Sequence, residues 1–194
     1  QRRLKSISST RKITKAMQLV AASKMKKAVA NALATRTYAN LAWMTLLNLS
    51  RDHNLAHPFL GHPVSRSATG KVAMIVFTGN KGLCGGFNSN VINKALASIK
   101  KHPDQQVDFY LFGSRGQALA SRYGQTVAAS FAKDERATQL PQVIALAQTV
   151  MAEYLTGRYD KVLVAFTDFI STLKQVPRIR QLLPIDISAN KDFL

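Results

Sequence analysis

A glycine-rich turn is the part of the sequence whose residue types come closest to a known chemistry. Residues 78–88 read TGNKGLCGGFN and lie between a predicted strand and a predicted helix, where nucleotide-binding folds place phosphate-binding glycines. The spacing of Gly79, Gly82 and Gly85 fits neither G-x-G-x-x-G nor the P-loop pattern, which also needs a Lys-Ser or Lys-Thr pair. We therefore predict that these glycines permit tight turns and close backbone packing, and that no cofactor binds there.

The single cysteine, Cys84, lies in the same turn and has the side chain of a nucleophile. A nucleophilic cysteine needs a neighbouring base and a group that orients this base. The chain has four histidines, and none belongs to a recognisable dyad pattern: His53, His57, His62 and His102. We predict a structural role for Cys84. We also predict no metal site, because His53 and His57 lack a third ligand and Pro58 disfavours helix at His57.

Carboxylate pairs for general acid–base catalysis are scarce, because the chain has only 10 Asp and Glu residues. Asp134 and Glu135 are adjacent in a polar loop, whereas Asp160 and Asp168 flank a predicted strand. Such positions are typical of helix caps and surface charges. Since the sequence offers no catalytic constellation, we predict that the chain is not itself an enzyme.

Positive charge dominates the N-terminal part of the chain. The formal net charge is +17, and residues 1–51 contain 11 Lys or Arg residues and no acid. Such a field favours an acidic partner: nucleic acid, an anionic membrane surface or an acidic protein surface. A basic nucleic-acid-binding module is the alternative function, but the aromatic residues available for base stacking, Tyr38 and Trp43, lie beyond the lysine-rich stretch. No apolar run approaches the roughly 20 residues that span a bilayer.

The basic segment is predicted to form one long helix over residues 1–50, because it lacks Pro and Gly and is rich in helix formers. Small and apolar residues recur at helical spacing and predict one apolar stripe on a cationic helix: Leu4, Ile7, Ile13, Met17, Val20, Ala21, Met25, Ala28 and Ala32. Such a helix extends roughly 75 Å, whereas a compact domain of this size has a radius of about 16 Å. Part of the stripe must therefore pack on another polypeptide, as in a coiled coil.

The remainder is predicted to be an α/β domain. We assign residues 1–55 to the coiled-coil helix, 56–70 to a Pro- and Gly-containing linker and 71–194 to the globular domain. Strands and helices alternate in this domain, which indicates a Rossmann-like, mainly parallel sheet. The predicted strands are 71–77, 107–112, 127–131 and 162–167, and the predicted helices are 88–101, 117–123 and 141–156. Pro177 and Pro184 restrict residues 173–187 to an edge strand or an irregular path.

Three separated motifs resemble the gamma subunit of the F-type ATP synthase. Residues 3–28 read RLKSISSTRKITKAMQLVAASKMKKA and resemble the N-terminal helix of that family. Residues 79–88 read GNKGLCGGFN and resemble its GLCG turn after the first strand. Residues 169–184 read FISTLKQVPRIRQLLP and are similar to the family's strand that ends in LLP. The motifs stand in the family's order, and the resemblance covers the whole chain.

The resemblance implies a non-catalytic subunit at the centre of a rotary enzyme. In this family the N-terminal helix is half of an antiparallel coiled coil inside a ring of alpha and beta subunits, and catalysis takes place on beta. The α/β domain lies against epsilon (delta in mitochondria) and the membrane-embedded c-ring. The implied function is torque transmission between the proton-driven c-ring and the catalytic ring. The implied location is peripheral, on the cytoplasmic side of the bacterial inner membrane or the matrix side of the mitochondrial inner membrane.

The resemblance also implies contact residues. Lys12, Lys15 and Lys24 would meet acidic loops of the beta subunits at the lower opening of the ring, with Met17 on the contact face near those lysines. The GLCG motif would be a structural turn of the globular part, formed by Gly79, Gly82, Cys84 and Gly85.

One feature of the family is missing from the sequence. The family ends in a long C-terminal helix, the second strand of the coiled coil, whereas this sequence stops at Leu194. Of the two explanations, a fragment or the ordered or expressed part of the protein, we expect the second. The sequence also lacks an inserted dithiol segment, so redox control of the chloroplast kind is not expected.

Overall fold

The computed structural model describes residues 2–51, 57–60, 70–131 and 140–185. It divides the chain into two compact units, Gln1–Asn48 and Leu49–Leu194. The described ranges leave out most of the predicted linker 56–70. They also leave out two of the histidines and two of the acids considered for chemistry: His53, His62, Asp134 and Glu135. Residues 57–60 are the main described part of that linker. They belong to the second unit and are hydrogen-bonded within it: Ile185 N donates to Phe59 O at 2.7 Å, and the Tyr154 hydroxyl donates to Pro58 O at 3.0 Å.

The first unit is built from a single helix, α1, which covers Arg2–Leu49. The prediction of one uninterrupted helix is confirmed, because no residue in it lacks a backbone donor or adds the flexibility of glycine. The expected single apolar stripe is wrong, since the apolar side chains are spread around α1. Leu4 and Ile13 show the reason: nine residues at about 3.6 per turn place them on opposite sides of the helix.

The second unit alternates strands and helices as predicted. Its elements are β1 Lys71–Phe77, α2 Phe87–Lys101, β2 Gln106–Phe112, α3 Ser114–Arg122, β3 Val127–Phe131, α4 Leu140–Leu155, β4 Lys161–Phe169 and β5 Gln175–Leu183. Each predicted strand and helix of the domain appears, with ends that differ by a few residues. Among the described helices, α1 included, none combines the length and the hydropathy needed to cross a membrane.

One five-stranded sheet organises this unit, in the order β3-β2-β1-β4-β5. The first four strands are mutually parallel, and β5 pairs with β4 in the antiparallel sense. The mainly parallel sheet is therefore confirmed, and so is the edge strand, which tolerates Pro177 because one side of β5 needs no ladder donor. The carboxyl ends of β1, β2 and β4 lie at one edge of the sheet, and the loops that follow these strands leave from that edge.

Helices cover the two faces of the sheet. On one face, α2 packs its buried residues Val91, Ile92 and Ala95 against a core that includes Met74, Val76, Phe109 and Leu111. Tyr110 lies between Phe109 and Leu111 in β2, so its side chain points to the opposite face. There its hydroxyl donates to Glu153 of α4, which places α4 on that second face. The sheet is thus buried on both sides, as the nearly continuous apolar runs of β1 and β2 indicate.

Candidate functional site

The exposed surface of α1 is the first candidate functional site. All described side chains from residue 2 to residue 41 are exposed, except the half-buried Val29. They include apolar side chains that water would normally disfavour, such as Ile13, Met17 and Val20, which are 58%, 60% and 56% exposed. Since no acid occurs in this helix, its surface combines apolar contact area with positive charge alone. This surface suits an acidic protein partner that also offers apolar contacts.

The helix divides the predicted contact residues into two pairs. Lys12 and Lys15 are three residues apart and lie on neighbouring parts of one side of α1. Met17 and Lys24 are seven residues apart, two helical turns, and share a side that is rotated by about 160° from the first pair. Of the three lysines, only Lys24 therefore shares its side of α1 with Met17. The contact of these four residues with a partner stays a prediction. A partner that meets both pairs has to approach α1 from two directions.

The glycine-rich turn after β1 is the second candidate site. Asn88, at the start of α2, is 8% exposed and fastens this turn. Its Oδ1 accepts a hydrogen bond from Gly79 N at 2.8 Å, and its Nδ2 donates to Lys81 O at 3.2 Å. The Gly79 N–H, which a phosphate would need, is thus used within the protein. The sequence predicted Asn88 at the start of α2 but not its role in fastening the turn. The available signal was an asparagine close to several glycines, because its side chain can bond backbone groups nearby.

Cys84 is exposed, and it is bonded within the turn. Its Sγ accepts a hydrogen bond from Asn88 Nδ2 at 3.2 Å and donates to Lys81 O at 3.8 Å. These contacts agree with a structural role. Gly85 has φ +58, which favours glycine because an L side chain rarely adopts that conformation. Within the described residues, no group of three or more His, Cys, Asp or Glu could hold a metal ion.

The turn is also joined to the loop between β2 and α3. The Thr78 hydroxyl accepts a hydrogen bond from Gly116 N at 2.9 Å and donates to Gly113 O at 3.0 Å. The Ser114 hydroxyl donates to Asn80 O at 3.1 Å. Gly82 is close to the Arg115 guanidinium, so a β-carbon there would lie 3.4 Å from Nη2. Two neighbouring loops at the carboxyl edge of the sheet therefore form one connected structure.

Comparison with known proteins shows the family of the chain. Residues 1–192 match the family model described as ATP synthase. The chain belongs to the ATP synthase gamma-chain family. The gamma chain of Nitrosococcus oceani is 33% identical over 192 residues, which are 97% of this chain and 65% of that relative. The gamma chain of Leptothrix cholodnii is 36% identical over 186 residues, which are 94% of this chain and 62% of the relative.

This gamma-family chain spans less than two thirds of the length of these relatives, 65% and 62%. A solved structure with the same fold is the central stalk and c-ring of the Tetrahymena thermophila mitochondrial ATP synthase. The similarity has a TM-score of 0.68 at 23% sequence identity and covers 94% of this chain and 77% of that chain. At this identity the likeness establishes the fold, a long N-terminal helix with a mostly parallel α/β sheet.

The gamma-family chain also holds a polar cluster that sequence reasoning missed. Asp108 lies in β2 and is 7% exposed, and its Oδ2 accepts a hydrogen bond from the Tyr159 hydroxyl at 2.9 Å. The Tyr110 and Tyr159 hydroxyl oxygens are 3.0 Å apart, and Tyr110 donates to Glu153. Arg158 completes the cluster, with Nη1 2.8 Å from Glu153 Oε2. An acid inside the largely apolar strand QVDFYLF was the available signal.

This cluster changes the acidity of its tyrosines. Burial is the main cause that raises the pKa of Tyr159 to about 12, although the contact between the Tyr110 and Tyr159 hydroxyls opposes it. Burial and the hydrogen bond to Glu153 raise the pKa of Tyr110 well above its usual range. The Arg158 pKa is also raised, chiefly by its electrostatic interaction with Tyr159. The cluster joins the end of α4 to β2 and to the segment before β4. Its hydrogen bonds therefore hold these parts of the fold together.

The two other predicted acids have structural partners as well. The Asp160 carboxylate accepts a hydrogen bond from Lys71 N at 3.2 Å, which joins the segment before β4 to the start of β1. Asp168 Oδ2 lies 2.9 Å from Arg178 Nε. The expectation that Asp168 flanks its strand is wrong, because β4 continues to Phe169 through its pairing with β5.

Proposed function

We propose that this chain is the central-stalk subunit of an F-type ATP synthase and transmits torque between the proton-driven c-ring and the catalytic ring of alpha and beta subunits. The observation that carries the proposal is α1: 48 residues in one helix, with cationic and apolar side chains exposed and no acid among them. A helix with this surface requires other polypeptides to cover it, and membership of the gamma family supplies a function in which they do.

The proposed contacts follow from the two sides of α1. Lys12 and Lys15 on one side, and Met17 with Lys24 on the other, would both be reached by a ring that encloses the helix. The lysines would meet acidic loops of the beta subunits, while Met17 contributes apolar and polarisable contact area. Because the contacts are distributed around the helix, torque would depend on shape and on several weak interactions, and single substitutions on α1 would have mild effects.

The remaining proposed partners are the epsilon subunit (delta in mitochondria) and the c-ring, both at the α/β domain. The chain would then be peripheral on the energy-transducing membrane, on the cytoplasmic side in bacteria or on the matrix side in mitochondria. A non-catalytic role agrees with the bonding of four described acids, since Asp108, Glu153, Asp160 and Asp168 each hold two parts of the fold together.

Co-purification tests this proposal. The chain would be expressed together with the alpha and beta chains of the same organism, with an affinity tag on beta only. We expect the chain to elute with alpha and beta in a fixed ratio below one copy per beta, and the assembly to hydrolyse ATP, while the chain alone does not. Elution of an active ring without the chain, under conditions of low salt, would contradict the proposed function.

A further inference from the structure

The hairpin of β4 and β5 extends beyond the body of the sheet. The pairing of β1 with β4 ends at Val76 and Ala165, whereas β5 stays paired with β4 as far as Phe169 and Gln175. The last four residues of β4, Phe166–Phe169, therefore have a strand partner on one side only. At about 3.3 Å per residue this arm extends the hairpin by roughly 13 Å at the carboxyl edge of the sheet.

The tip of this arm, residues 170–174, is held in one conformation. Ile170 N and Ser171 N both donate to Lys174 O, at 3.1 and 2.9 Å, and Lys174 N donates back to Ser171 O at 3.2 Å. The Ser171 hydroxyl accepts from Leu173 N at 3.3 Å and from Lys174 N at 3.1 Å. Gln175 Nε2 donates to the carbonyls of Ser171 and Thr172. The tip is thus preorganised, which lowers the conformational entropy lost when a partner binds it.

The side chains at the tip are apolar and cationic. Leu173 is 97% exposed and Ile170 is 46% exposed, although the tip around them is fixed by hydrogen bonds. The only acid of the arm, Asp168, is paired with Arg178. Lys174 is exposed and forms no ion pair with any described residue. The tip therefore offers one fully exposed leucine beside one available positive charge.

We propose that residues 170–174 are a docking element whose Leu173 enters an apolar pocket, flanked by carboxylates, on a neighbouring protein subunit. This inference rests on the proposed function, which supplies an assembly in which subunits are adjacent. Charge selects the occupant: Lys174 and a chain of net charge +17 favour an acidic surface. A lipid surface is disfavoured, because one leucine and one lysine supply too little apolar area and charge for stable membrane binding.

Site-specific photocrosslinking tests the contact in the assembled complex. A benzophenone amino acid would be incorporated at position 173, and in a control at position 155, where the native leucine is 50% exposed near the opposite edge of the sheet. We expect irradiation to give one subunit adduct from position 173 at several times the yield from position 155. Equal yields, or an adduct of lipid rather than of protein, would overturn the docking element.

Affinity provides a second measurement. Leu173→Ser removes the apolar side chain from a tip whose hydrogen bonds use backbone atoms and the side chains of Ser171 and Gln175, so the fold should persist. We expect the variant to bind the other subunits roughly tenfold or more weakly, the effect of one buried leucine, while Leu155→Ser binds as the wild type does. Lys174→Ala should lower the salt dependence of binding, and Lys161→Ala, at the start of β4, should not.

The outcomes separate the two proposals. If the wild-type chain does not co-purify with alpha and beta, the proposed function fails and its neighbouring subunits are lost as partners. If the wild type co-purifies but Leu173→Ser and Leu155→Ser bind with equal affinity, the docking element fails and the proposed function stands.

Discussion

At Gly113 the backbone comes so close to the neighbouring loop that no side chain fits. The residue has φ +105, and a β-carbon there would lie 2.4 Å from Thr78 O. We expect Gly113→Ala to lower the free energy of unfolding by about 2 to 4 kcal/mol, because it adds both backbone strain and a steric clash. Denaturant unfolding followed by circular dichroism measures this change.

A matched variant separates strain from clash. Gly124 also has a positive φ, +65, but a β-carbon there would meet nothing within 4 Å. Gly124→Ala should therefore cost only about 1 kcal/mol, from strain alone. Equal losses for the two variants would mean that the loops after β1 and β2 are not held together as the structure indicates.

The Tyr159 hydroxyl makes stability depend on pH in the alkaline range. Its pKa is raised from 10.0 to about 12, so the folded state retains a proton that the unfolded state has lost between these values. The contribution is complete below the unfolded pKa and is lost as the pH rises from 10 towards 12. We expect the denaturation midpoint to fall in this window and the fall to be smaller in Tyr159→Phe. Tyr123→Phe, at a 44% exposed tyrosine, is the control and should keep the wild-type slope.

At the scale of elements, α1 distributes its charge along and around one helix. Lys12 and Lys15 lie on one side, three residues apart, so they can meet the same acidic surface. We expect Lys12→Glu and Lys15→Glu together to weaken coupling between ATP hydrolysis and proton pumping more than either substitution alone. Both activities would be measured on the assembled enzyme in membrane vesicles.

The control for this prediction uses the other side of α1. Substituting Lys24→Glu in combination with Lys12→Glu places the two new acids on different sides, and we expect their effects to be close to additive. If the Lys12 and Lys15 double variant hydrolyses ATP and pumps protons as the wild type does, the contact of this pair with an acidic surface is ruled out.

Across the whole molecule, the net charge of +17 should control how fast the chain finds its partners. Opposite charge on the partner steers the encounter, and salt screens this attraction over about 10 Å at 0.1 M. We expect the association rate with the alpha and beta subunits to fall as salt is raised, with a much smaller change in the dissociation rate. Surface-based binding kinetics at several salt concentrations measure both rates, and an association rate independent of salt would refute electrostatic steering.

The helices, the strands and the family could all be predicted from the amino-acid sequence. α1 follows from 48 residues without Pro or Gly, and β1 from a short apolar run, because these preferences act over a few neighbouring residues. Pro177 and Pro184 restricted residues 173–187 to an edge strand or an irregular path, since a central strand requires the donor that proline lacks. The three motifs predicted the gamma family because they follow one another along the chain in the family's order, and the family model confirms this prediction.

Contacts between residues far apart in the sequence could be identified only in the folded chain. Asp108 and Tyr159 are 51 positions apart, and no local pattern predicts that β2 and the segment before β4 bring them together. Strand order likewise sets which loops are neighbours at the carboxyl edge. These features depend on packing between segments, which the energetics of neighbouring residues do not specify.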